Sequence, residues 1–240
     1  MSLADDCISA APGSITDFAG ISLPAGYLWA AGQAVSRTAY ARLFAALSVS
    51  FTGNVTSGSV AISAVSQDLT ALGPSLVGSP ISGPGIPAGA TISAVTSATI
   101  TLSANANASG TAVALVAAPH GIGDGSTTFN VPDARGRVSV GRDDMNGTAA
   151  SRMTSGGSGV NGVLLGAAGG VETVTLTASQ IPAHTHPYGF NGAGTGAGSN
   201  AQLYQGTNTG SAGNVPANTG GGGAHSNTQP TLVLHKIIKT

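Results

Sequence analysis

The residues able to do chemistry in this chain are few and unevenly placed. His184 and His186 stand two apart in Pro182-Ala183-His184-Thr185-His186. On an extended segment such residues face the same way, with Cα atoms roughly 6.5–7 Å apart. One chain therefore offers two imidazoles, too few to complete a metal site. His225 and His235 read as structural, His225 being the better candidate for an extra ligand or loop anchor. The carboxylates Asp124, Asp133, Asp143 and Asp144 are the candidates for paired acid–base cleavage of a polysaccharide, but Asp133, Arg135 and Arg137 are expected to pair with Asp143 or Asp144, or with a neighbouring subunit. A literal G-x-G-x-x-G runs from Gly157 to Gly162, but it lacks the preceding strand and following helix that a phosphate cradle needs. Uncharged recognition is offered by Asn191, Asn200, Gln202, Tyr204, Gln205 and Asn208, since amides and an aromatic ring suit sugar hydroxyls. They lie in residues 189–224, where 12 of 36 residues are Gly. Ordering such a loop costs roughly 1–2 kcal/mol per residue, so other chains are expected to supply contacts to it if it is ordered.

Composition narrows the classes that could use these groups. Charged residues are 7% of the 240, against about 25% in an ordinary domain. Hydrophobic residues are 41%, the reverse of the balance that gives disorder. With 37 Gly and 12 Pro, the chain reads as β-structure that hides much of its surface against copies of itself. The net charge of −1 gives no electrostatic grip on nucleic acid or an anionic membrane. The start, MSLADDCISA, has acids where a secretory signal carries positive charge. No run of about 18 apolar residues suggests membrane insertion. Cys7 is the single cysteine, so neither a disulfide within the chain nor a zinc–cysteine cluster is expected. The expectation is a soluble protein made in the cytoplasm without export.

The charges also divide the chain. Eight lie between Asp124 and Arg152, one (Asp68) lies between Phe51 and Pro119, and none lies between Thr173 and His235. In the first region Ser36 can cap a helix that carries Tyr40, Leu43, Phe44 and Leu47 on one face. Tyr27–Ala30 reads as a short strand, with Trp29 at the core or its edge. The second region reads as short strands at Val60–Ile62, Thr99–Ser103 and Thr111–Val116, spaced for a small sandwich or barrel. In the third, Val174–Leu176 is a strand and Thr177 to Gln180 a capping box that Pro182 ends. Residues 231–239 are apolar on both alternating faces, so both must be covered.

Residues 13–48 (GSITDFAGISLPAGYLWAAGQAVSRTAYARLFAALS) resemble the phage tail collar domain. The family's usual continuation is matched only at Gly123–Gly141 (GDGSTTFNVPDARGRVSVG). It is matched again at Gly169-Gly170-Val171-Glu172, at Pro182–His186, and in His225–Pro230 with the closing Ile237-Ile238-Lys239. The resemblance implies a mainly β fold with one short helix: an attachment segment (1–12), a collar domain in two halves (13–52 and 119–172), an inserted small β module (53–118), and an intertwined Gly-rich C-terminal tip (173–240). It implies a homotrimer in the virion, at a tail tip, collar or short fibre. Its partners would be other tail or baseplate proteins and a host surface glycan or outer-membrane receptor. No fibre-shaft sequence precedes residue 13, which favours a short protein seated on a tail, baseplate or other fibre. In similar tail-fibre proteins His-X-His pairs from three chains bind a metal on the threefold axis. His184 and His186 would do so here, with iron, nickel or cobalt suited to six imidazoles better than zinc. The competing readings are a purely structural joint between tail components, a polysaccharide-degrading tail protein, and a tail-like bacterial particle using the same module.

Overall fold

The computed structural model describes residues 10–182 and 222–240. In chain order the strands are β1 (Ile15–Phe18), β2 (Tyr27–Trp29), β3 (Ala34–Ser36), β4 (Val49–Val55), β5 (Ala61–Ser63), β6 (Ile81–Ser82), β7 (Ile92–Val95), β8 (Ile100–Leu102), β9 (Gly110–Ala117), β10 (Thr128–Asn130), β11 (Thr173–Val174), β12 (His225–Ser226) and β13 (His235–Lys239). The helices are short: α1 (Ala41–Leu47), α2 (Gly73–Leu76) and α3 (Ser155–Ser158). The protein is mainly β, with several antiparallel sheets.

Residues on either side of β4–β9 build one small body. Strand β13 lies between β1 and β2, and its register places Ile238 opposite Ile15 and Leu28, and Ile237 opposite Thr16 and Trp29. Because side chains alternate across a strand, the two isoleucines point to opposite faces. Both are buried, as an apolar central strand requires. The strand begins only at His235, however, and Leu232 and Val233 before it are 80% and 88% exposed. Trp29 shares the face of Ile237, away from the core that Ile238 joins; it is half-buried, 4.6 Å from the His235 ring and 6.5 Å from Phe18.

On the other face, Ala30, Leu43, Phe129, Val131 and Ile238 form the core, with Tyr40, Phe44 and Leu47 packed against it. The helical stripe is thus as expected, but its cap is not. Ser36 Oγ accepts from the Ala39 N–H at 3.3 Å and Ser36 O from Tyr40 at 3.1 Å. Ser36 therefore closes a turn before α1, whose N-cap, Tyr40, has no side-chain cap bond. Strand β10 pairs with β3, Phe129 opposite Val35, which ties residues 128–130 to the body 80-odd residues after α1.

Strands β4–β9 form a six-stranded antiparallel sheet in the order β6-β9-β4-β5-β8-β7. Its two edges meet. Pro80 and Thr91 are bridged, Ile81 N–H donates to Ala90 O at 3.1 Å, and Ile92 N–H donates to Ser79 O at 3.0 Å. The sheet therefore closes as a barrel, which removes its free edges. Phe51, Val55, Ile62, Leu69, Leu76, Ile81, Ile92, Ile100, Leu102 and Leu115 fill a core separate from that of the body. Val49, the first residue of the barrel, pairs with Ala117, the last. A β-bulge lies between Gly53 and Val55; there Asn54 Oδ1 accepts the N–H of Ala112, which sits at φ +50°.

Residues 171–182 and 222–231 belong to a separate unit. In it β11 pairs with β12, Val174 opposite His225. The strand is Thr173–Val174, one residue earlier and shorter than expected, because its partner β12 is only two residues long. Gln180 Oε1 accepts from the Thr177 N–H at 2.8 Å, the reach-back half of a capping box, over a single 3-10 turn.

Candidate functional site

Among the described residues the charged side chains concentrate in the segment from Asp124 to Arg152, and each carboxylate there already has donors. Asp124 accepts from the N–H groups of Ser126, Thr127 and Thr128 and from the Thr127 hydroxyl. Those bonds, the hydroxyl first, hold it far below the usual carboxylate range. Asp133 takes both Arg135 Nε (2.8 Å) and Nη2 (3.0 Å), with Arg137 at 3.3 Å. The Arg135 hydrogen bonds are the main cause of its lowered pKa. Asp143 collects the N–H groups of Ser151, Arg152 and Met153. Asp144 pairs with Arg142, whose hydrogen bond lowers its pKa.

The expected pairing of Arg135 and Arg137 with Asp143 or Asp144 is therefore corrected. The nearer Asp133 wins both arginines, because residues two and four apart in one turn meet at little entropic cost. Asp143 instead caps backbone. A general acid in glycoside cleavage needs a raised pKa, whereas hydrogen bonds hold Asp124, Asp133 and Asp144 ionised. The Gly157–Gly162 motif starts in the last two residues of α3, whose N-cap Thr154 Oγ1 accepts the Gly157 N–H at 3.2 Å, and leaves the helix at Gly159. No strand precedes it, so it is a capped loop.

An open cleft of about 710 Å3 lies between the loops at Pro80–Gly89 and Gly121–Ser126. Its walls include Pro84, Ile86, Pro87, Asp124 and Asn130. Asn130 is used on both sides, accepting from Gly123 N–H at 2.9 Å and donating to Gly32 O at 2.8 Å. Ser82 Oγ beneath it is, among the described residues, the buried side-chain oxygen without a hydrogen bond. The cleft thus presents apolar loop surface and no free acid or base.

The expected ligand set falls elsewhere. His184, His186, Asn191, Asn200, Gln202, Tyr204, Gln205 and Asn208 lie outside the described residues. Among the described residues no three His, Cys, Asp or Glu side chains gather as a metal site, and no helix is long and apolar enough to cross a membrane. His225 is exposed in β12, and the His235 ring packs at a tilt against Trp29.

Two arginines that organise the molecule carried no sequence signal for it. Arg37 donates through Nε to Thr128 O (2.9 Å) and through Nη2 to Ile122 O (3.3 Å), with its guanidinium 5.0 Å from the Phe44 ring centre. Arg142 reaches Ser75, 67 residues away. None of these three partners is near in sequence, and two are backbone carbonyls, which any residue could supply.

Comparison with known proteins returns one family. No curated protein and no solved structure matches the chain. Residues 13–61 match the model of the Phage Tail Collar Domain, a stretch that runs from β1 through α1 and ends in the first strands of the barrel. Over residues 13–61, then, the chain is similar to the phage tail collar domain, a likeness that suggests a structural protein of the phage tail.

Proposed function

We propose that the protein is a homotrimeric component of a phage tail tip or short fibre that attaches to the host surface without covalent chemistry. The collar match over residues 13–61 supports the tail assignment. The exposed large apolar side chains support the oligomer: Val138, Val140, Met145, Val171, Leu232 and Val233 are each 66% or more exposed. So much apolar surface on a chain this poor in charge calls for cover by further copies. Residues 189–224 are the receptor-facing segment in this reading, with Asn191, Asn200, Gln202, Tyr204, Gln205 and Asn208 meeting a surface glycan or outer-membrane receptor. His184 and His186 from three chains would hold one divalent ion, iron, nickel, cobalt or zinc, on the axis. Other tail or baseplate proteins seat the base of the trimer.

The test is adsorption of particles carrying Tyr204→Ala and Gln205→Ala together. Assembly should be normal and adsorption lost. Normal adsorption would remove the site assignment and favour a structural joint that never touches the host.

A further inference from the structure

The chain enters and leaves the barrel side by side, since Val49 pairs with Ala117. Two adjacent crossings act as a hinge: they fix where the barrel is attached but resist rotation about their common line only weakly. A third, off-axis attachment is needed to fix its direction. Residues 142–167 supply one.

This segment has little regular structure, yet it meets the barrel at several points. Arg142 Nη1 donates to the hydroxyl of Ser75 in α2, Nε to Asp144 Oδ1, and Nη2 to Asn146 Oδ1 at 2.7 Å; Ser75 Oγ also donates to Asn146 Oδ1, at 2.8 Å. The Arg142 and Asp144 side chains are only 9% and 7% exposed. Further along, a Cβ placed on Gly78 would lie 3.4 Å from Leu164 Cδ1, and one on Gly166 would lie 3.1 Å from Pro119 O. Backbone and side chain therefore lie close against the barrel's helical side and its exit.

The segment is also fastened to itself. Asp143 N–H donates to Gly162 O at 2.8 Å, Gly162 N–H donates to Met153 O at 3.1 Å, and the Asp143 carboxylate holds three amides. Met145, Asn146 and Ser151 sit at φ +44°, +65° and +57°. Non-glycine residues stay in that region only where the surroundings over-determine them. At Met145 and Asn146 the Arg142 fork does so, because a planar guanidinium can hold three acceptors at once, which an ammonium on a flexible stem does poorly; at Ser151 the Asp143 carboxylate does so by accepting its N–H.

We propose that residues 142–167 are a strap that holds the barrel in one orientation on the collar-bearing body, with Arg142 as the positioning residue that closes it. This goes beyond the attachment function and stands or falls separately from it.

The direct test is a distance distribution between spin labels at Ala45→Cys and Ser97→Cys, both exposed positions, in a full-length Cys7→Ser chain diluted into unlabelled chains. The parent should give one narrow distribution. Arg142→Met and Ser75→Ala should each broaden it about twofold or more, while hydrogen exchange at residues 143–153 speeds up by about tenfold and the barrel strands β4 and β9 keep their protection. An unchanged distribution in both variants overturns the proposal, as does unchanged exchange in the strap. Should Arg142→Met lose barrel protection and fail to fold, Ser75→Ala decides alone, since it removes one hydroxyl and leaves the Arg142–Asp144 pair in place.

Discussion

Phe129→Ala should unfold the small body and leave the barrel standing. Phe129 is fully buried, its ring centre 5.2 Å from that of Phe44, in a core it shares with Ala30, Leu43, Val131 and Ile238. Removing a buried phenylalanine ring costs about 3–5 kcal/mol. A core this small provides a stability of about 5 kcal/mol or less, so the loss takes most of it. No barrel residue belongs to that cluster. The two units can be read separately, because Trp29 is the single tryptophan and lies in the body, whereas far-UV circular dichroism is dominated by the barrel strands. With a urea slope of about 1–3 kcal/mol per molar, the fluorescence midpoint should fall by about 2 M and the dichroism midpoint by much less. Equal shifts of both midpoints would refute the reasoning, since they would mean that the two cores unfold as one.

Two further outcomes follow from single residues. Ala112→Gly should stabilise the barrel by about 0.5–1 kcal/mol: leaving the left-handed region recovers roughly 1–2 kcal/mol, of which glycine's unfolded freedom removes roughly 0.5–1. A lower dichroism midpoint for this variant would count against the bulge geometry. Burial pushes the His120 imidazole below its ordinary pKa of 6.5, so the folded state favours the neutral ring. Its contribution is present above pH 6.5 and is lost as pH falls from there towards the folded pKa. His120→Gln should flatten that part of a stability–pH curve, and a slope unchanged by the substitution would show that other groups cause it. The lowered carboxylates Asp124, Asp133 and Asp144 act lower down, stabilising above about pH 4 and losing effect below it.

Periodicity made the α1 face, the Tyr27–Trp29 strand and the two-sided end of β13 legible, because each depends on neighbours within one element. The helix start was not. Ser36 has the right type and spacing for a cap, but β3 pairs with β10 through Ser36 itself, and the chain needs a turn before α1 can begin. The charge-poor region was visible as composition, whereas the first barrel strand starts at Val49, two residues after α1 ends, with no Gly or Pro between them to mark the change. Closure through Pro80 and Thr91 depends on which strands meet, and strands of two or three residues carry little register information. The repeated tetrapeptide Ile62-Ser63-Ala64-Val65 and Ile92-Ser93-Ala94-Val95 was a signal for two similar hairpin strands in that sheet. Of the candidate sites, the acids were legible as a cluster but not as caps. A carboxylate's donors are mostly backbone amides, and those have no letter in the sequence. The histidine pair and the amide-rich loop fall outside the described residues, so their reading rests on residue type and spacing.

The adjacency of Val49 and Ala117 has an evolutionary consequence. A host domain tolerates a foreign one when the graft's two ends sit about as far apart as the two residues it separates, and paired strand residues stand only about 5 Å apart. The junction at Ser48 and Ala118 is thus a socket: a cassette with neighbouring termini meets the end of α1 as the barrel does, but it must also offer a partner in place of Ser75 for Arg142. A graft at this point asks of an incoming domain only that its own two ends lie side by side, as Val49 and Ala117 do.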